Sequence, residues 1–227
     1  MSRNESRRQK QLAKKKAKRT EKRTLIAKQN SDNPVIRLAG AERWPIVAAL
    51  VPEQLGETGI GNLVLTRRCP DGRLAMAVFL VDTYCLGAKN AFWRILSDWE
   101  YEKFLRQVST RGKMKSVTPE FLTKLVYDAV AYAESFGFPP HPDYRPARML
   151  LAGIDPALCA ETFTFGKDGK PFYIDGPNDS PEKIRVIMHR VNLAGGHFVV
   201  NASRLEELDG LIEPAKLDPA AMDEQAN

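Results

Sequence analysis

Cysteine and histidine are scarce in this 227-residue chain, with three of each. Cys69, Cys85 and Cys159 are odd in number and widely spaced. That pattern excludes a disulfide framework and makes reduced thiols the expected state. No Cys-x-x-Cys or His-x-x-x-His pair occurs. No structural zinc site or other metal is therefore expected, and no cofactor is implied. Long apolar runs are also missing. The longest, Leu74 to Val81, has eight residues, whereas a membrane helix needs roughly 20, so no membrane partner is expected. The basic N-terminus lacks the apolar stretch of a secretory signal, which makes the cytoplasm the expected compartment. Nucleotide fingerprints are absent too. Gly56 to Gly61 lacks the Gly-Lys-Ser/Thr end of a P-loop, and Gly59-Ile60-Gly61 has no third glycine at the dinucleotide spacing. No Gly-x-Ser-x-Gly elbow exists.

What is present is an uneven distribution of charge. The whole chain carries a formal +6. Residues 1–30 hold 12 basic and 2 acidic side chains, a local +10. Residues 202–227 hold 2 basic and 7 acidic ones, a local −5. The stretch between them, 31–201, is near +1. Ser31-Asp32-Asn33-Pro34 forms a polar break after the basic run. The organisation read from this is a basic arm over 1–33, a folded domain over 34–201 and an acidic tail over 202–227. The arm has too few apolar residues to bury a core, so alone it is expected to be disordered or a fraying helix.

The middle section reads as α+β. Asn62–Arg68 and Arg73–Tyr84 are strand patterns around the turn Pro70-Asp71-Gly72, a hairpin signal. The second strand is apolar on both faces and suits the centre of a sheet. Ser97 and Glu100 have the capping-box spacing. Thr118-Pro119-Glu120 opens an amphipathic helix that Gly137 ends, and Ser180-Pro181-Glu182 repeats that start. Phe163, Phe165, Phe172 and Ile174 alternate with polar residues around Lys167-Asp168-Gly169-Lys170, which predicts a second hairpin. His197–Asn201 reads as a last strand. The order lacks regular βα alternation. The expected fold is a single α+β domain with an antiparallel or mixed sheet of about five strands and two hairpins, packed by helices.

Chemistry-bearing residues fall into two groups. The arm carries Arg7, Arg8, Lys14, Lys15, Lys16, Lys18, Arg19, Lys22 and Arg23. Such a run can track phosphates of RNA or DNA through counterion release without reading bases. It contains no aromatic residue to stack on them. The same run also fits a solvated arm that docks on the acidic tail.

The second group is catalytic in character. Asp82 ends the apolar strand, where an unpaired carboxylate would be costly. It is either an acid/base group or an anchor for the next turn, with Lys89 as a nearby partner. His141 and Asp143 flank Pro142 in a rigid loop and could form a base or ligand pair. Asp143 equally suits a cap for a helix starting at Tyr144. Cys159 is a candidate thiol, or a small core side chain. Asp179 and Ser180 would compete for the helix amides after them, which argues for a plain cap over a phosphate site.

Three stretches are similar to a bacterial protein family that carries no assigned activity. They are FLVDTYCLGAKNAF (79–92), GFPPHPDYRPA (137–147) and FGKDGKPFYIDGPNDSP (165–181). The resemblance spans most of residues 40–195, implies one continuous domain and a bacterial origin, and transfers no site. The leading expectation is a cytosolic protein associated with nucleic acid or a ribonucleoprotein through its arm. One alternative is an enzyme with Asp82, His141 and Cys159 in one pocket. Another is a protein-interaction adaptor. No oligomeric state is implied.

Overall fold

A computed structural model describes residues 33–110, 112–201 and 204. The arm residues before Asn33 and all of the acidic tail except Arg204 lie outside the described residues.

Helix α1 (Pro34–Arg37) and a 3-10 turn (Ala41–Arg43) lead into strand β1 (Ile46–Pro52). A short helix α2 (Leu55–Thr58) connects it to β2 (Ile60–Arg68), and β3 (Leu74–Asp82) and β4 (Gly87–Leu96) follow. Helix α3 (Asp98–Ser109) carries the chain to β5 (Met114–Ser116). The strand order is β4-β3-β2-β1-β5, and every neighbouring pair is antiparallel. The single α+β domain expected from the sequence is therefore what forms.

The local causes are those of the residues. Asp71 accepts from the Arg73 N–H and guanidinium in the β2–β3 turn, and Gly72 takes φ 85° there. β3 is the only long apolar run and occupies an interior position, buried on both faces. At the start of β4, Gly87 has φ 59°, and a Cβ there would stand 2.6 Å from the Ala129 carbonyl oxygen. Glycine is the residue that tolerates both the conformation and the close approach.

Helix α4 (Pro119–Ser135) is capped by Thr118, whose hydroxyl accepts from the Phe121 N–H. It buries Leu122, Leu125, Val126 and Ala129 against one face of the sheet, beside Phe79 and Leu65. Short helix α5 (Tyr144–Ala147) and a 3-10 turn (Arg148–Leu151) complete that layer. On the opposite face, α3 sets Tyr101 over Val64, Leu74, Met76 and Val78. The Ser97–Glu100 capping box holds the start of α3, as its spacing predicts.

The second expected hairpin does not form as a strand pair. Its turn survives as an isolated bridge between Lys167 and Lys170. Residues 162–165 form no strand, and Gly166 is a bend with φ 78°. They instead pack Phe163 edge-on to Phe121 and stack Phe165 on Tyr132. Strand β6 (Phe172–Ile174) pairs in parallel with β7 (His197–Val199), joined by helix α6 (Pro181–Leu193). A parallel pair needs such a crossover. The unit is attached to the main sheet at the β3–β4 connection, where the Gly166 N–H donates to the Thr83 carbonyl and the Phe172 N–H to that of Tyr84.

Candidate functional site

The most connected polar group is Asp179, just ahead of α6. Ser180 takes the cap role, accepting from the Lys183 N–H. That frees the buried Asp179 carboxylate for other donors. It accepts from the Tyr173 hydroxyl at 3.0 Å, the Gly176 N–H at 2.8 Å, Lys89 Nζ at 3.0 Å and Lys183 Nζ at 2.8 Å. Burial alone would raise its pKa, but the bonds from Lys183, Lys89 and Gly176 win and hold it well below the carboxylate range. Burial and this carboxylate push the Tyr173 hydroxyl far up. Asp179 thus clamps β4, β6 and α6 together. Oδ2 accepts three of these bonds and Oδ1 the fourth, so the group is committed to the fold.

The sequence-predicted catalytic candidates separate. Asp82 accepts from the N–H groups of Tyr84 and Cys85 at 2.9 and 3.0 Å. It anchors the β3–β4 turn, one of the two roles weighed for it. Lys89, its expected partner, bonds Asp179 instead. Burial raises the Asp82 pKa, while the amides of Tyr84, Cys85 and Leu86 and the charge of Lys89 counter it. The buried Cys85 thiol is pushed up to about 12 by burial and by Asp82, so it is no nucleophile at neutral pH.

His141 accepts from the Asp143 N–H through Nδ1 at 3.2 Å, and its backbone N–H donates to the Ala88 carbonyl. Asp143 occupies the cap position before α5, but its side chain makes no capping bond there. Its carboxylate lies 3.8 Å from His141 Nδ1. Cys159 closes a 3-10 turn (Pro156–Leu158) that Asp155 caps, and it is half-buried. Among the described residues, no hydrogen bond or ion pair joins Asp82, His141 and Cys159. No group of three or more His, Cys, Asp or Glu is placed to hold a metal there either. The arm candidates, Arg7 to Arg23, lie outside the described residues. No helix among the described residues is long and apolar enough to cross a membrane.

The larger cavity lies elsewhere, on the α3 face of the sheet. It is a groove of about 790 Å³ where α3 stops short of the far end of β2, β3 and β4. Strand register places Asn62, Leu80 and Asn90 in one row across three strands, and Val64, Val78 and Phe92 in the next. Gln54 and Thr58 line one side, and Gln107 of α3 the other. The side-chain amides of Asn62 and Asn90 have no hydrogen-bond partner among the described residues. Lys113 is the only charged residue among the described ones that line it. Among the described residues that line it there is no cysteine, serine, histidine or carboxylate. Such a surface can hydrogen-bond and cover an apolar ring. A second groove of about 580 Å³, between β1 and residues 161–168, carries charges of both signs: Glu53, Glu161, Asp168, Lys115 and Lys167.

Sequence reasoning passed over Asn62 and Asn90, and read Asp179 only as a helix cap. For the asparagines the available signal was a polar residue at the face period of a strand, next to the apolar Val64 and Phe92 at that spacing. For Asp179 no local signal exists, because its partner Lys89 is 90 positions away. No family model, curated protein or solved structure matches this chain.

Proposed function

We propose that this protein associates with nucleic acid or a ribonucleoprotein in the cytoplasm, with the basic arm tracking phosphates and the α+β body as the specific module. The observation that carries this is the segregation of charge. The first 30 residues hold a net +10, while residues 31–201 sum to about +1. Concentrated cationic charge without aromatics is suited to polyanion attraction and to little else. The three thiols are unpaired, which fits a reducing compartment.

The test uses the full chain and a variant with Lys14, Lys15, Lys16, Lys18 and Arg19 changed to Gln. Binding to RNA and DNA oligonucleotides is measured as salt rises. For single strands the log–log slope changes by about −0.7 per phosphate contacted. The expected result is a steep slope for the full chain, which flattens in the variant together with a loss of affinity of about tenfold or more at low salt. No binding by the full chain at low salt, or equal binding by the variant, would sink the proposal.

A further inference from the structure

We infer that the groove between α3 and strands β2–β4 is a binding site for a single unstacked nucleobase of the bound strand. Choosing a base among planar, uncharged groups rests on the nucleic-acid reading above. The chemistry of the groove stands by itself. Asn62 and Asn90 flank Leu80 in one cross-strand row. Adjacent strands are about 4.8 Å apart, so the two residues stand about 10 Å apart across the half-buried leucine. That span leaves room for one planar ring lying on Leu80 with an amide reaching toward each edge. Each amide offers a donor pair and an acceptor, the complement of the mixed donor and acceptor edges of a base. Bases in single strands are recognised on these edges once they leave the stack.

Three further observations narrow the ligand. First, the amides have no partner among the described residues, although a polar side chain at these strand positions gains little for folding. Second, among the described residues no carboxylate lines the groove, and Lys113 supplies the single positive charge. An anionic backbone can therefore approach, and a cationic ligand gains nothing. Third, Phe92 is partly exposed in the wall and held edge-to-face by Phe104 at 6.4 Å. It is a fixed apolar surface beside the row.

The experiment uses the full-length, ¹⁵N-labelled protein. The probes are the four ribonucleoside 5′-monophosphates, with ribose 5-phosphate and glucose as controls. The readout is the side-chain NH₂ signals of Asn62 and Asn90. At least one monophosphate is expected to shift both signals saturably in the millimolar range, and neither control should do so. Asn62→Leu and Asn90→Leu are each expected to weaken that binding by about tenfold, the usual scale for a lost amide–base pair. Both positions are at least partly exposed, so the fold is expected to persist, and an unchanged thermal midpoint checks this. In the full chain, Lys113→Ala is expected to erase the advantage of the monophosphate over the nucleoside and to leave nucleoside binding intact.

The inference is overturned if no monophosphate moves the two signals, if ribose 5-phosphate or glucose moves them equally, or if both leucine variants bind as the parent does. Its failure is separable from that of the arm. If the parent binds oligonucleotides salt-sensitively but the asparagine signals stay still, the groove assignment falls and the arm stands. If a monophosphate binds while oligonucleotides do not, the arm reading falls and the groove assignment stands.

Discussion

The two faces of the five-stranded sheet treat their polar groups in opposite ways. On the α4 face, charge is admitted only when it is fully matched. Arg67 is 2% exposed and donates to the carbonyls of Leu150, Trp44 and Ala152, each at 2.8 Å, and to that of Glu42 at 3.3 Å. Asp179 at the end of the sheet is likewise held by an amide, two lysines and a tyrosine hydroxyl, whereas Asp82, held by two amides, is matched only in part. Among the described residues, only the hydroxyls of Thr123 and Tyr132 are buried without a partner. On the α3 face, Thr66 donates to the Tyr101 hydroxyl under the helix. Beyond the end of that helix, Asn62 and Asn90 project with no partner among the described residues. Saturated groups hold a fold together, whereas free ones can be used by a ligand.

The largest break in that contrast is expected at Arg67. Its guanidinium ties β2 to the 3-10 turn before β1 and to the one after α5, using donors that no other side chain arranges in one plane. Burial lowers its pKa, with Glu42 acting in the opposite sense. Arg67→Met keeps much of the stem but strips partners from several carbonyls at once. The expected loss is about 4 kcal/mol of unfolding free energy, at roughly 1 kcal/mol for each of the bonds lost. Arg67→Lys should recover only a minor part of it, since an ammonium cannot span the same carbonyls. Urea denaturation measures both. A shift in the Arg67→Met midpoint no larger than that of an exposed-arginine variant such as Arg94→Met would show that the matched face is not what holds the sheet.

How much of this was legible in the sequence depends on how local each signal is. β3 and α4 were legible because a continuous apolar run and a Thr-Pro-Glu cap each report on their own element. α6 was legible for the same reason, down to its buried Ile184, Ile187 and Val191. β4 was not. GAKNAFWRIL mixes Asn90 and Arg94 with Phe92 and Ile95, because part of its α3 face lies in the open groove, and an open face blurs the alternation that marks a strand. The second hairpin failed for a related reason. Alternation of Phe163 and Phe165 reports a buried face, but it does not name the pairing partner. Those rings pack on Phe121 and Tyr132 without strand pairing, and β6 finds β7 across a helix. The candidate site was hardly legible, because Asn62 and Asn90 come together only through strand register, and the buried cluster around Arg67 was no more so. Arg67 reads as the polar end of a strand, and its four carbonyl partners lie 23 to 85 positions away.

A smaller effect is expected from the two buried carboxylates, with opposite signs. Asp179 has a depressed folded pKa. Its contribution is full above the unfolded value near 3.9 and is lost as pH falls through the folded one. Asp82 has a raised folded pKa, because burial outweighs the amides it accepts from. Its ionisation opposes folding, so the molecule loses stability as pH rises from the unfolded value toward the folded one. Asp82→Asn keeps an acceptor oxygen for Tyr84 and Cys85 and removes the charge. The expected result is a variant that gains on the parent as pH rises above the unfolded carboxylate value near 3.9, by about 1.4 kcal/mol per unit of pKa displacement. Unfolding free energies across that range test it. A parent-minus-variant difference that is flat with pH would mean the carboxylate is no more costly folded than unfolded.

The smallest expected effect is the most informative about the open face. Asn90 is exposed, lies on the edge strand and makes no hydrogen bond through its amide to any described residue. Asn90→Leu removes a weak strand former and adds apolar area beside Leu80 and Phe92. Asparagine is depleted in strands, and the substitution strands no partner. Stability is expected to stay within about 0.5 kcal/mol of the parent, as for surface changes generally, or to rise slightly. A loss above about 1 kcal/mol would mean that the asparagine is matched in the folded protein after all, and the contrast between the faces would collapse. A neutral or stabilising result would leave an amide that folding does not require in a groove whose walls are otherwise ordinary for a sheet and a helix. The same variant would then be the one in which loss of ligand can be read without any confounding loss of fold.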